Sequence, residues 1–201
     1  MFDRRRQMSI PDLQPTLQGN LLWLRPLRDE DFNSLFAVAS DPLIWELHPE
    51  KNRFQRHVFE KFFRAAIESR GALAAVDTQT SQIIGTSRFN AFDQAQRTVE
   101  VGYTFLARRC WGRGYNREMK ALMLDHAFKF VDQVLFYIGE NNHRSRRAVE
   151  KIGAQQLEKV KRRPQEGAEY FAVVYGINKV EYLNRSLIGG PEKREIKIVE
   201  Y

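Results

Sequence analysis

Arg109 to Gly114 read Arg-Cys-Trp-Gly-Arg-Gly, between an alternating apolar run from Thr98 to Leu106 and a helix-period run from Tyr115 to Val131. Two glycines let the main chain approach a ligand with no Cβ in the way, and the N–H groups of a following first helical turn lack partners inside the helix. A phosphate suits such a strand-turn-helix bend. The commoner nucleotide motifs are not satisfied. A dinucleotide fingerprint needs a third glycine where this chain has Arg117, and a Walker loop needs Gly-Lys-Ser/Thr after its last glycine.

What remains, Arg109-x-x-Gly112-x-Gly114, resembles the acetyl-coenzyme A pyrophosphate motif of the GNAT superfamily of N-acetyltransferases. Trp111 to Glu118 resembles the RimJ/RimL-type branch. So do Val99-Glu100-Val101-Gly102-Tyr103 upstream, similar to its central strand, and Asn142-His143-Arg144-Ser145 with Glu150-Lys151-Ile152-Gly153 downstream. The resemblance runs from about Leu21 to about Asn184. It implies a mixed α/β (α+β) fold, a mostly antiparallel sheet with one parallel crossover, flanked by helices. It also implies an enzyme that moves acetyl from acetyl-CoA to a primary amine by direct attack in a ternary complex, with no metal and no covalent enzyme intermediate. Cofactor contacts are expected at Thr104, Phe105 and Leu106, along the bend at Arg109, Cys110, Trp111, Gly112, Arg113, Gly114 and Tyr115, and at Asn142 and Ser145. The acceptor amine, on a small molecule or at a protein N-terminus, is expected near Trp45, Glu46, His48 and Tyr170, in loops where Glu46, Glu166 and Glu169 would attract a cation. One departure stands out: many members carry a thiolate-protonating tyrosine past the asparagine, where this chain has Val149.

Acetyl transfer from a thioester needs a neutral amine set against the carbonyl, donors for the oxyanion and a path for protons. Glu100 is the first candidate for the base, directly or through water, with a glutamate paired to arginine at the sheet rim as the alternative. Strand alternation places Val99, Val101, Tyr103 and Phe105 on one face and Glu100, Gly102, Thr104 and Leu106 on the other. Ser145 is the candidate near the leaving sulfur. Asn142 and Ser145 also fit a plain helix N-cap pair, and both roles can coexist. Glu118 fits either the positive end of its helix or a ligand contact. Cys110 has no histidine nearby in sequence to activate it and sits among the expected backbone donors; His126 falls on a packed helix face, while His48 and His143 are the more accessible histidines.

These residues need a scaffold, and the chain supplies alternating elements without repeats. Strands are expected at Leu21 to Pro26, Ala72 to Val76, Ile83 to Phe89, Thr98 to Leu106, Val134 to Ile138, Gln155 to Lys161 and Glu169 to Ile177. Helices are expected at Asp29 to Ser40, Phe54 to Arg70, Gly112 to Val131 and Arg146 to Ile152. Residues 20–184 read as one domain, 1–19 as an N-terminal arm and 185–201 as a tail.

The 201 residues, 43% apolar, suit one globular domain. A single cysteine excludes an internal disulfide, and the charged start, Met1 to Gln7, precedes no apolar stretch long enough for a signal peptide or membrane span, so a cytoplasmic protein is expected. The net charge is +7, and the basic clusters at Arg4 to Arg6, Arg144 to Arg147 and Lys159 to Arg163 read first as solvated faces, with part of the charge suited to the phosphates of coenzyme A. The charge also suits a ribosome- or nucleic-acid-associated module on the same fold, and a coenzyme A sensor without turnover is a further alternative. Nucleic acid is not the expected substrate, and a homodimer is left open.

Overall fold

Apolar runs with β-branched and aromatic residues become strands of one mixed sheet in the computed structural model, which describes residues 11–162 and 169–188. In chain order the elements are β1 (Leu17–Gln18), β2 (Leu22–Pro26), α1 (Phe32–Ala39), α2 (Arg56–Glu68), β3 (Ala72–Asp77), β4 (Ile83–Asp93), β5 (Thr98–Leu106), α3 (Tyr115–Ala127), β6 (Gln133–Gly139), α4 (His143–Lys151), β7 (Gln155–Arg162), β8 (Tyr170–Asn178) and α5 (Lys179–Ile188). Short 3-10 turns at Asp29–Asp31, Pro42–Ile44, Lys51–Phe54 and Arg108–Cys110 complete the described chain. The strand order is β1-β2-β3-β4-β5-β6-β8-β7, antiparallel except between β5 and β6.

Each face of the sheet carries its own core. Met119, Met123, Leu124 and Ala127 of α3 pack on Leu22, Val99, Val134 and Phe136. On the opposite face Leu35, Phe59 and Phe63 of α1 and α2 close over Phe105, with Trp45 and Phe105 ring centres 5.0 Å apart. Helical spacing of apolar residues puts them there, as the pattern in the sequence requires.

The parallel pairing lasts for only three positions, Thr98↔Gln133, Val99↔Val134 and Glu100↔Leu135. Beyond Glu100, β5 continues to pair with β4 as far as Leu106, while β6 pairs with β8 up to Gly139. The two strands therefore part, and a wedge opens toward their carboxyl ends. A bulge lies at the parting: Arg88 pairs with Gly102 and Thr86 with Phe105, so one residue of β4 faces two of β5, and Tyr103 takes φ +54°.

That bulge corrects the simple alternation expected for this strand. Val99 and Val101 lie in the α3 core, but after the extra residue it is Leu106 that joins them, and Tyr103 and Phe105 fall in the α1 and α2 core. An inserted residue inverts the facing of everything beyond it.

Several boundaries also move. The Asp29 to Ser40 helix divides into a 3-10 turn and α1, β4 extends four residues past Phe89, and α3 begins at Tyr115 and ends at Ala127. Strand β1 falls within the segment expected as an arm, and α5 crosses the expected boundary at 184/185. Residues 1–10, 163–168 and 189–201, which hold Arg4 to Arg6, Arg163, Glu166 and most of the expected tail, lie outside the described residues.

Glu118 lies in the first turn of α3 and has a role beyond those expected of it. Its buried carboxylate accepts N–H bonds from Asn20, Leu21 and Leu22 at 3.0, 2.8 and 3.1 Å, fastening the turn before β2 to the first turn of α3. Removing it strands three donors, of which Leu22 N–H is buried. Glu118→Ala is expected to cost roughly 2 to 4 kcal/mol and to lower Tm by about 5 to 15 °C. A thermal melt within about 1 °C of the parent rejects the clamp.

Candidate active site

The bend after β5 is built in two halves. Its first half is a 3-10 turn in which Cys110 N–H donates to Ala107 O at 2.8 Å and Trp111 N–H to Arg108 O at 3.0 Å. These two amides are spent, which corrects the expectation that Cys110 stands among free backbone donors. Its thiol is buried and burial raises its pKa, so it is no nucleophile either. In the second half Gly112 and Gly114 take φ +73° and +88°, the left-handed region that glycine enters at least cost.

The first intrahelical bond runs from Glu118 N–H to Gly114 O. None of the N–H groups from Gly112 to Arg117 donates to another described residue. A Cβ on Gly112 would meet nothing within 4 Å, so the space over the bend is open. A row of unpartnered amides at a helix N-terminus with room above it fits a diphosphate.

From this bend a cleft of 1940 Å³ runs along the wedge between β5 and β6 to the loop before α2. Of the expected site residues, Thr104, Phe105, Leu106, Cys110, Trp111, Gly112, Gly114, Asn142, Ser145, Trp45, His48 and Tyr170 line it. Arg109, Arg113, Tyr115 and Glu46 do not. Arg109 is exposed and reaches Gln82, and Arg113 is exposed. Tyr115 donates its hydroxyl to Asp77 at 2.7 Å, tying α3 to β3. Phe105 and Leu106 have buried side chains, so they offer the cleft mainly backbone. Asn142 caps α4, accepting Ser145 N–H at 3.1 Å, and Ser145 stands half-buried in the wall.

Glu100 lies behind the wall, 3% exposed. Its carboxylate faces Arg162 Nη1 and Nη2 at 3.4 and 3.5 Å and accepts from Asn90 at 3.2 Å. Gly102, which does line the cleft, is what leaves room for it: a Cβ there would stand 3.0 Å from Glu100 Oε1.

At the end of the cleft where the acceptor is expected, the charges differ from expectation. Glu46 is bound by Arg144 at 3.0 Å and Glu169 pairs with Lys161, so neither carboxylate stands free for a cation. Glu166 lies outside the described residues. Trp45 is a core residue whose indole donates to Ala39 O at 2.7 Å. His48 packs edge-on against Trp45 and accepts Glu50 N–H at 2.9 Å; burial beside Arg53 pushes its pKa down to about 3, leaving it neutral. Reasoning from sequence missed Arg53, Arg88, Tyr103, Tyr137 and Arg162, which surround this end. Arg88 occurs in an apolar strand, the one sequence signal that could have marked it.

The family model described as an acetyltransferase (GNAT) domain matches residues 22–155. A relative from Bacillus subtilis (strain 168), described as the uncharacterized N-acetyltransferase YoaA, is 26% identical over 174 residues, 82% of this chain and 97% of its own length. Among solved structures, Mycobacterium smegmatis RimJ in complex with CoA-disulfide superposes with a TM-score of 0.67 at 20% identity, covering 89% of this chain and 97% of that one. Vibrio cholerae spermidine N-acetyltransferase in complex with CoA and spermine gives 0.64 at 18% identity, covering 83% and 100%. The chain belongs to the GNAT acetyltransferase family, whose members use acetyl-CoA. Among the described residues no group of three or more His, Cys, Asp or Glu could hold a metal ion, and no helix is long and apolar enough to cross a membrane.

Lys120, on α3, is a cleft residue that no sequence pattern singles out. Its buried amine donates to Thr104 Oγ1 at 2.6 Å and Ser87 Oγ at 3.2 Å, and burial lowers its pKa to about 7 from 10.5. Below about pH 7 the amine is charged in folded and unfolded chains alike, and the folded state bears the full cost of burying it. Between about 7 and 10.5 the folded chain has lost a proton that the unfolded chain keeps, so this group makes stability rise with pH. Lys120→Met leaves Ser87 and Thr104 bonded to each other at 2.8 Å. The variant's Tm advantage over the parent is expected to be largest at pH 6 and to shrink by pH 9. A gap that stays constant over that range sinks the assignment.

Proposed function

We propose, with membership of the acetyl-CoA-dependent family as premise, that this chain acetylates a primary amine by direct attack in a ternary complex. The observation that carries the reading is the run of unpartnered N–H groups from Gly112 to Arg117, opening on the cleft that follows the wedge. The diphosphate of acetyl-CoA lies on that run, neutralised by main-chain dipoles and the helix N-terminus. The pantetheine arm enters the wedge, where β5 beyond Glu100 has no strand partner on its β6 side among the described residues and so has backbone groups to offer. Asn142 and Ser145 form the opposite wall.

The acceptor nitrogen attacks the thioester carbonyl; the C–N bond forms, the C–S bond breaks, and coenzyme A leaves as thiolate. Backbone donors of the β5 edge hold the oxyanion. The amine proton passes through water to Glu100, which stands behind Gly102, and Ser145 or water returns a proton to the sulfur. With Val149 at the place of the usual tyrosine, no stronger acid is needed for so good a leaving group. The finer reading, a RimJ/RimL-type enzyme acting on the α-amine of a peptide or protein, rests on Trp111 to Glu118 and on the likeness to RimJ.

Thiol release from acetyl-CoA with an amine panel tests the reaction, and binding without turnover on any acceptor rejects it. Gly112→Val is expected to weaken acetyl-CoA binding at least tenfold, because a branched side chain both strains a left-handed position and fills the phosphate space. Unchanged affinity by calorimetry rejects the cradle. Glu100→Gln is expected to reduce kcat by roughly two to four powers of ten, and a rate within about twofold of the parent removes it from the role of base.

A further inference from the structure

Around the end of the cleft proposed for the acceptor, the described residues place three guanidinium groups, of which Arg53 lines the cleft, against two carboxylates. Arg53 pairs with Glu50 and lies 4.6 Å from the Phe62 ring centre; Arg162 pairs with Glu100 and lies 4.0 Å from that of Tyr137. Arg88 has no carboxylate within ion-pair distance among the described residues. It is 5% exposed, and its Nε and Nη2 are sealed from solvent and donate to no described residue. Its guanidinium lies 4.2 Å from the centre of the Tyr103 ring, which forms the cleft wall at the bulge. A buried cation with unused donors is costly and leaves a positive potential in a low-dielectric recess. Burial lowers the pKa of both Arg88 and Arg53, that of Arg53 to about 10, and a guanidinium in a protein keeps its proton at neutral pH.

His48, which shares this recess, is neutral and cancels none of it. Glu46 and Glu169 are committed elsewhere. A polyamine would bring positive charge to a recess already in excess of it. An anion on the acceptor would answer the charge that Glu50 and Glu100 leave over.

We infer that the acceptor is an amine that also carries a carboxylate, held at the recess bounded by His48, Arg53, Tyr103 and Tyr170 and balanced by Arg53 and by Arg88 behind Tyr103. This rests on the transferase reading and narrows its substrate. The same chemistry has two sources, a free amino acid and a peptide beginning with Asp or Glu.

Matched acceptors test it on the full chain with saturating acetyl-CoA: aspartate and glutamate against their fully amidated forms, peptides led by Asp or Glu against those led by Asn or Gln, and spermidine. Within one pair the carboxylate member is expected to have a kcat/KM about ten- to a hundredfold higher, with spermidine the poorest. The pair that shows the effect identifies the source. Arg88→Met is expected to remove the preference by raising KM with kcat within about twofold, while Arg88→Lys, which keeps the charge, retains part of it. A merely structural Arg88 would lower activity equally on acid and amide. Equal use of acid and amide, a preference for spermidine, or full preference in Arg88→Met overturns the inference. If Arg88→Met does not fold, the comparison on the parent decides alone. If acetyl-CoA binds and no acceptor releases thiol, the transferase reading fails separately; calorimetric binding of the same pairs to the coenzyme A complex then judges the carboxylate, and equal affinities overturn it.

Discussion

Everything at the site depends on two strands that pair for three residues and then part. Parallel pairing of β5 and β6 from Thr98 to Glu100 fixes the sheet, and its abrupt end leaves β5 with one edge bonded to β4 and the other without a strand partner among the described residues. A backbone edge without partners is costly if buried and dry, so it must face solvent or a ligand. The bulge at Tyr103 serves the same end. It turns Thr104 toward α3 and Lys120, and sets Tyr103 toward the arginine side, so neighbouring residues of one strand serve the two ends of one cleft. The bend at Gly112 and Gly114 follows from the same strand, since the chain must reverse there to start α3.

The cleft is electrically uneven. Main-chain amides dominate at the bend, a buried lysine and two hydroxyls lie partway along, and guanidinium groups surround the far end. Much of the chain's net positive charge is spread over the surface, but Arg53 and Arg88 are placed where low dielectric magnifies them. Counting basic residues in sequence clusters could not separate these cases, because Arg53 and Arg88 belong to no cluster; the fold alone brings them together.

The fold was legible in the sequence wherever periodicity was strong. Alternation marked β5, helical spacing marked α2 and α3, and the glycine pattern marked the bend. What stayed hidden has physical causes. A bulge leaves no periodic trace until the strand pairs, so the facing of Tyr103 to Leu106 was read backwards beyond it. Two-residue β1 is too short for any pattern, and α5 has an amphipathic stripe that a polar tail composition masks. At the site, glycines announce themselves through backbone need, whereas the roles of Arg88, Lys120 and Glu118 arise from tertiary neighbours far off in the chain. Glu46 reads as an open acidic patch until Arg144 is seen across the loop.

Glu118 joins three amides at the start of β2 to the first turn of the helix that carries the bend. Sheet margin and helix start are thereby one mechanical body, with the carboxylate as its rivet. Any anion seated on the bend pulls on the same turn of helix, so its grip is transmitted to the 20–22 loop without a change of shape. Slowed amide exchange at Asn20 to Leu22, remote from Glu118 in sequence by almost a hundred residues, is the signature such a joint leaves behind.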